Sequence, residues 1–206
     1  MPKIVDHEQR RTEIAEALWR VVARQGLDGA TIRAVAAEAG WSRGIIEHYF
    51  DNKEELLAFS CRLAVDRALA QARLRHETLA GREALRAVLL DCVADAQDIW
   101  FDLLGSATRE SSLAAELVRF DAEMSKAIGE IIAEMISRGE ASADLDPAAE
   151  ARAVFAFNIG LKVESHMQPG PLGRELVESR VDGFLDRLTW SPQGGSGAAT
   201  SPAGRV

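Results

Sequence analysis

Residues 31–49 read TIRAVAAEAGWSRGIIEHY, and their punctuation is that of two short helices joined by a tight turn. Thr31 offers a side-chain oxygen to the first free amides of a helix. Ile32, Val35, Ala36 and Ala39 then recur at the i, i+3, i+4, i+7 spacing of one buried face. Gly40 ends this helix, because the residue just past a helix often takes a left-handed backbone that glycine adopts without steric cost. Ser42 is placed as a second cap, and the helix it opens runs from Arg43 to about Phe50. On that helix Ile45 and Tyr49 share one side with Ile46 and Phe50 beside them, which leaves Arg43, Gly44, Glu47 and His48 as the outward strip. Two helices with this turn and strip are built to lay the second one in a DNA groove.

Working outward, the helical pattern continues almost to the end of the chain. Asp6 and Gln9 form a capping-box arrangement for a first helix that buries Ile14, Leu18, Val21 and Val22 and stops at Gly26. Lys53 begins a long helix carrying Leu56, Leu57, Leu63 and Leu69 to about Thr78, and Gly81 breaks it. Further helices are predicted over 83–104, 111–138, 147–166 and 172–188. Asp146-Pro147 and Pro169-Gly170-Pro171 act as breakers after which helix resumes. No stretch alternates β-branched residues, so the fold class is all-α with no strand. This gives a three-helix helix-turn-helix domain over 1–52, a helical regulatory and dimerisation domain over 53–190, and a tail over 191–206. The tail has almost nothing to bury and is expected to be disordered.

The segment 10–57 resembles the DNA-binding domain of TetR-family transcriptional regulators. The resemblance rests on the cap Thr31, the turn from Ala36 to Gly40, Ser42, the run His48-Tyr49-Phe50, Lys53 and Leu56-Leu57. Within the family, the string from Gly44 to Phe50 is most similar to BetI-type repressors. The resemblance implies a cytoplasmic homodimer that binds a palindromic double-stranded DNA operator, represses transcription and is released by a small-molecule inducer. It also implies DNA contacts for Thr31, Arg33, His48, Tyr49 and Lys53. Arg43 can donate two hydrogen bonds to guanine, and Gly44 lets the backbone come close to the bases. Tyr49 serves equally well as a core residue. Glu47 departs from the family, where many members carry an aromatic. A carboxylate there repels phosphate and can accept from cytosine, or pair with Arg43 one turn earlier.

Charge does not advertise a nucleic-acid protein. The net charge is −8, but residues 1–53 hold eight Lys or Arg against eight Asp or Glu, so the acid excess lies wholly in the remainder. A neutral head binds DNA only if Glu13, Glu16 and Glu38 face away from the phosphates. The longest apolar run, 153–157, is far short of a membrane span, and the N-terminus lacks a signal-peptide core. Cys61 and Cys92 read as reduced, partly buried thiols.

Residues of a mostly apolar set in the middle helices, Trp100, Phe101, Phe120, Met124 and Phe155 with the amide Asn158 and the acid Asp98, are candidates for an inducer cavity, though such spacing also describes ordinary core. BetI-like proteins imply a choline-type cation there, held by an aromatic cage and an acid. Phe157, Gly160 and Leu161, with Leu176, Val177, Phe184 and Leu188, are candidates for half of an intermolecular four-helix bundle, or for intrachain packing. No enzyme, cofactor or metal is indicated. The four histidines are scattered, Arg11 stands where a zinc-protease helix needs its second histidine, and the glycine-rich tail departs from a dinucleotide fingerprint at Thr200. The competing reading is a helical interaction protein that keeps a helix-turn-helix for packing alone.

Overall fold

Glycine, proline and short polar caps mark several of the helix boundaries among the described residues. The computed structural model describes residues 7–94, 105, 111–167 and 173–189. Within them lie eight helices and no strand. They are α1 (His7–Gly29), α2 (Ile32–Ala39), α3 (Arg43–Tyr49), α4 (Lys53–Thr78), α5 (Gly81–Ala94), α6 (Ser111–Ser137), α7 (Pro147–Met167) and α8 (Arg174–Thr189). The break expected in α1 falls at Gly26, whose backbone leaves the helix at φ 68°. Asn52 caps α4 by accepting from the Glu55 amide at 2.8 Å. Pro147 opens α7 as its first residue, with Asp146 accepting from the Ala148 amide at 3.0 Å, a position where the missing proline N–H costs nothing. The Asp6 cap, residues 95–104, the Pro169-Gly170-Pro171 breaker and the tail 191–206 lie outside the described residues.

One hydrophobic cluster runs through the molecule from Ile14 of α1 to Leu188 of α8. In the first three helices it is built from Ile14, Leu18, Val21, Val35 and Ile46, with Phe50 closing it, all nearly inaccessible. Burying one such side chain contributes about 1.5–3 kcal/mol. The cluster continues along α4 through Leu57, Cys61, Val65 and Leu69, a four-residue recurrence that keeps one stripe inward over 26 residues, about 39 Å of helix. Leu63 on the same helix is half-buried.

Polar ties join the N-terminal helices to this long helix. Arg11 donates to Glu55 at 2.9 Å, and its guanidinium lies over the rings of Phe50 at 4.4 Å and Phe59 at 4.5 Å. Arg67 reaches back to Glu16 at 2.8 Å. Deeper in the body α4 meets α6 through Arg62–Glu116, Arg119–Asp66 and His76–Glu134. Arg86 of α5 grips Asp182 of α8 with two bonds, at 2.7 and 3.1 Å, which holds that carboxyl below the usual carboxylate range. The long helix α4 is thus tied to the head at one end and to α6 along its length. Among the described residues no helix is long and apolar enough to cross a membrane.

Candidate nucleic-acid interface and regulatory cavity

The turn between α2 and α3 is fixed by local chemistry. Thr31 Oγ1 accepts from the Ala34 amide at 3.1 Å, as a cap should. At the other end of α2, Gly40 sits at φ 72°, ψ 27°. The Trp41 amide donates to Ala36 at 2.9 Å and the Gly40 amide to Ala37 at 3.3 Å. Those two bonds close the helix end and fix the exit direction. Ser42 occupies the cap position of α3, but only its carbonyl is used, accepting from Ile45 at 3.0 Å. Its hydroxyl makes no capping bond and stays on the exposed surface.

Ile46 and Phe50 hold α3 against the core. Arg43, Gly44, Glu47 and His48 face outward, as the spacing predicts. Ile45 does not go inward as expected: it is 42% exposed. The reason is the narrowness of the buried arc. Ile46 is the one buried residue within α3, and its neighbour lies about 100° round the helix. The outward face thus has an apolar element between Gly44 and His48.

The charges on this face are largely neutralised by the protein itself. Arg43 Nε donates to Glu47 at 2.6 Å across one turn, with both side chains exposed, so the pair contributes only a few tenths of a kcal/mol to stability. Its main effect is to lay the guanidinium along the helix. Arg20 donates to Glu38 at 2.8 Å and Arg24 joins the same carboxylate, which the two guanidiniums, Arg24 foremost, hold below the usual range. Glu13 and Glu16 are likewise engaged, with Arg10 and Arg67. Arg33 is exposed and forms no ion pair among the described residues. Lys53, at the start of α4, is half-buried and donates to the Leu27 carbonyl at 2.8 Å, which uses one of the three ammonium donors.

Tyr49 is half-buried and forms a ring cluster with His48, 5.2 Å between centroids, and with His7 of α1 at 4.8 Å. In the sequence His7 is one of four scattered histidines. Folding brings it beside the end of α3, and no spacing rule links residues 42 positions apart.

Four of the candidate cavity residues converge. Phe120 and Met124 of α6 meet Phe155 and Asn158 of α7 around a small cavity of about 10 Å³ that Leu89 of α5 closes. The rings of Phe120 and Phe155 stand edge to face at 6.1 Å. Asn158 is 5% exposed and donates from Nδ2 to the Leu89 carbonyl at 3.3 Å. Lys162, one turn further along α7, also lines the cavity and is 9% exposed. Phe155, Asn158 and Lys162 recur at i, i+3, i+7 and so share one face of α7, but that spacing does not tell that the face lines a cavity. Asp98, Trp100 and Phe101 lie outside the described residues.

The candidate interface residues divide. Leu161, Val177 and Leu188 belong to the chain's own core. Phe157 and Phe184 stack on each other, half-buried, at 4.2 Å and 11°. Leu176 is 44% exposed, and a Cβ added to exposed Gly160 meets nothing within 4 Å. Cys61 is buried, with its thiol pushed up to about 12 by loss of solvent first and by nearby Glu116 second. Cys92 is partly buried.

A capped helix, a left-handed glycine turn and a short second helix with an outward face, set on a helical body, define a helix-turn-helix regulator. Residues 14–58 match the model of bacterial regulatory proteins of the tetR family, and residues 81–189 match that of the BetI-type transcriptional repressor C-terminal domain. The chain belongs to the TetR family of transcriptional regulators, with a BetI-type body. It is 29% identical over 188 residues to the regulator PksA of Bacillus subtilis, covering 86% of this chain and 89% of that protein. Against BetI of Burkholderia thailandensis it is 38% identical over 100 residues, which is 47% of this chain and 51% of that protein. In fold it is similar to a TetR regulator from Haloarcula marismortui, with a TM-score of 0.78 at 18% identity over 89% of this chain and all of that one (100%). A regulator from Saccharomonospora viridis solved in complex with choline gives 0.74 at 20% identity, over 87% of this chain and 96% of that one.

Proposed function

We propose that the chain is a repressor that binds a palindromic DNA operator as a homodimer and is released by a small molecule. The observation that carries this reading is the outward face of α3: Arg43, Gly44, Ile45, Glu47 and His48 are exposed while Ile46 and Phe50 anchor the helix from behind. Residues 1–52 are then the reading head, and 53–190 the regulatory and dimerising body. Arg43 reads a guanine, Ile45 lies against a thymine methyl, and Glu47 both orients Arg43 and discriminates against wrong bases. Thr31, Arg33, Ser42, His48, Tyr49 and Lys53 position the head on phosphates. The Thr31 hydroxyl accepts within the cap and keeps its proton for a phosphate oxygen.

A seven-residue helix spans too few base pairs to select one site, so two copies must act together on two half-sites. The half-buried Phe157 and Phe184 with exposed Gly160 and Leu176 supply the dimer surface, Gly160 allowing a partner backbone close approach. The inducer occupies the cavity between α5, α6 and α7. Since that cavity holds little more than a water, binding must part these helices, and α6 then shifts α4 and the head through the ion pairs described above. A hundredfold loss of operator affinity requires a preference of about 2.7 kcal/mol for the released state.

Selection of bound genomic fragments at low salt tests the reading. An enriched inverted repeat is the expected result. Recovery of fragments without any shared repeat would instead favour a helix-turn-helix kept for packing.

A further inference from the structure

The bond between Arg43 and Glu47 is not explained by the stability of α3. Arg43 is the first residue of this seven-residue helix, and Glu47 stands in its last turn. A cation at the start and an anion at the end both oppose the helix dipole, and arginine preceding glutamate at i, i+4 is the weaker order of such a pair. Both side chains are exposed, 70% and 44%, so water screens what attraction there is. What the bond does is hold donors and an acceptor side by side on the outward face. Arg43 spends only Nε, on Glu47 Oε1 at 2.6 Å. Its two terminal nitrogens meet no acceptor among the described residues, and Glu47 Oε2 meets no donor there. The free groups of the pair therefore run donor, donor, acceptor.

In the major groove a G·C pair presents the complement of that series: guanine N7 and O6 accept, and the cytosine N4 amine beside them donates. An A·T pair sets its amine against a guanidinium nitrogen and a carbonyl oxygen against the carboxylate, and a reversed C·G pair puts the amine under the guanidinium. We infer that Glu47 is itself a base-reading residue: it accepts from the N4 amine of the cytosine whose guanine partner Arg43 reads. The two side chains recognise one G·C pair, in one orientation, as a unit. This rests on the reading of α3 as the helix that enters the groove, and it names the base pair taken there. A carboxylate in the groove is repelled by the phosphates on either side, and the cytosine amine is the donor that offsets the repulsion. Glutamate at this position thus excludes base pairs that lack a donor there. A methyl group on that amine closes the site to the protein.

The test is fluorescence anisotropy of the intact protein with the operator recovered by selection, the guanine being located as the position where Arg43→Ala relaxes preference. Two modified duplexes are set against the plain one. N4-methylcytosine opposite that guanine keeps the base pair and puts methyl in place of the outward amine hydrogen, whereas 7-deazaguanine removes the N7 acceptor. The unaltered protein is expected to lose about tenfold in affinity for either modification in one half-site. Glu47→Ala, at an exposed position where alanine favours helix, should bind the plain and N4-methylated duplexes within about twofold of each other and still lose about tenfold with 7-deazaguanine. Unchanged binding of the N4-methylated duplex by the unaltered protein overturns the assignment, and that arm needs no variant. An equal methylation loss in Glu47→Ala also overturns it, because the methyl would then stand against Arg43. So does an operator in which Arg43→Ala relaxes preference at no guanine. A protein that selects no operator at all removes the reading of α3, and the base assignment falls with it; a selected operator indifferent to N4-methylation removes the assignment alone.

Discussion

Replacing Gly44 with alanine separates the stability of the head from its ability to read DNA. A Cβ at this position meets nothing within 4 Å, and the residue lies inside α3, where alanine is the better helix former. The substitution should therefore stabilise the free protein by about 0.5 kcal/mol, allowing for a site in the first turn. That corresponds to a rise of about 1–2 °C in melting temperature for a domain of this size. On DNA the same methyl group stands between the helix backbone and the base edges. Holding the helix off the groove spoils the bidentate geometry of Arg43 one residue before it, at about 1–3 kcal/mol per half-site. Two heads double this to about 2–6 kcal/mol, a loss of thirtyfold or more in operator affinity. Scanning calorimetry measures the first quantity, and fluorescence anisotropy with the selected operator and a scrambled duplex measures the second. Unchanged operator affinity would refute the close approach of α3, and a lower melting temperature would refute the helix geometry assigned to Gly44.

Arg43→Ala should cost about 1–3 kcal/mol per half-site and relax preference at one base position, while Lys53→Met should weaken all duplexes alike; a selection repeated with each variant distinguishes them. Gly160→Trp fills open space on the proposed dimer surface without touching the chain's own core, so light scattering should report monomers whose helicity and melting remain close to those of the parent. The buried Cys61 thiol should resist aromatic disulfide reagents at pH 8 until the protein is unfolded. Its folded value lies above the ordinary 9.0, so the stability it contributes is complete below pH 9 and is lost between 9 and about 12. At pH 10.5 the loss amounts to about 2 kcal/mol, read as a falling urea midpoint that Cys61→Ala should abolish.

What could be read from the sequence was what local chemistry decides. Thr31 and Gly40 bring their own hydrogen-bond logic, and Gly26 and Pro147 stop or start helices through backbone rules that need no neighbour. Ile45 was misread because period alone cannot fix the width of a buried arc in a helix of two turns, where the partner helices cover only one position. Leu161, Val177 and Leu188 carry the same apolar spacing as a dimer seam, and only tertiary packing reveals that the chain covers them itself. His7 and Lys162 were missed for a related reason. Each acquires its neighbours from helices distant in sequence, and an isolated histidine or lysine carries no local mark of the company it keeps.

The carboxylates of Glu38 and Glu47 have a consequence far from any operator. Attraction to arbitrary duplex comes almost entirely from displaced counterions, and a head that spends its guanidiniums on its own acids displaces few. As a reader of DNA it would dwell briefly on bulk chromosome and slide little. Most copies would stay in free solution, and a small cellular pool would suffice to keep one cognate locus occupied.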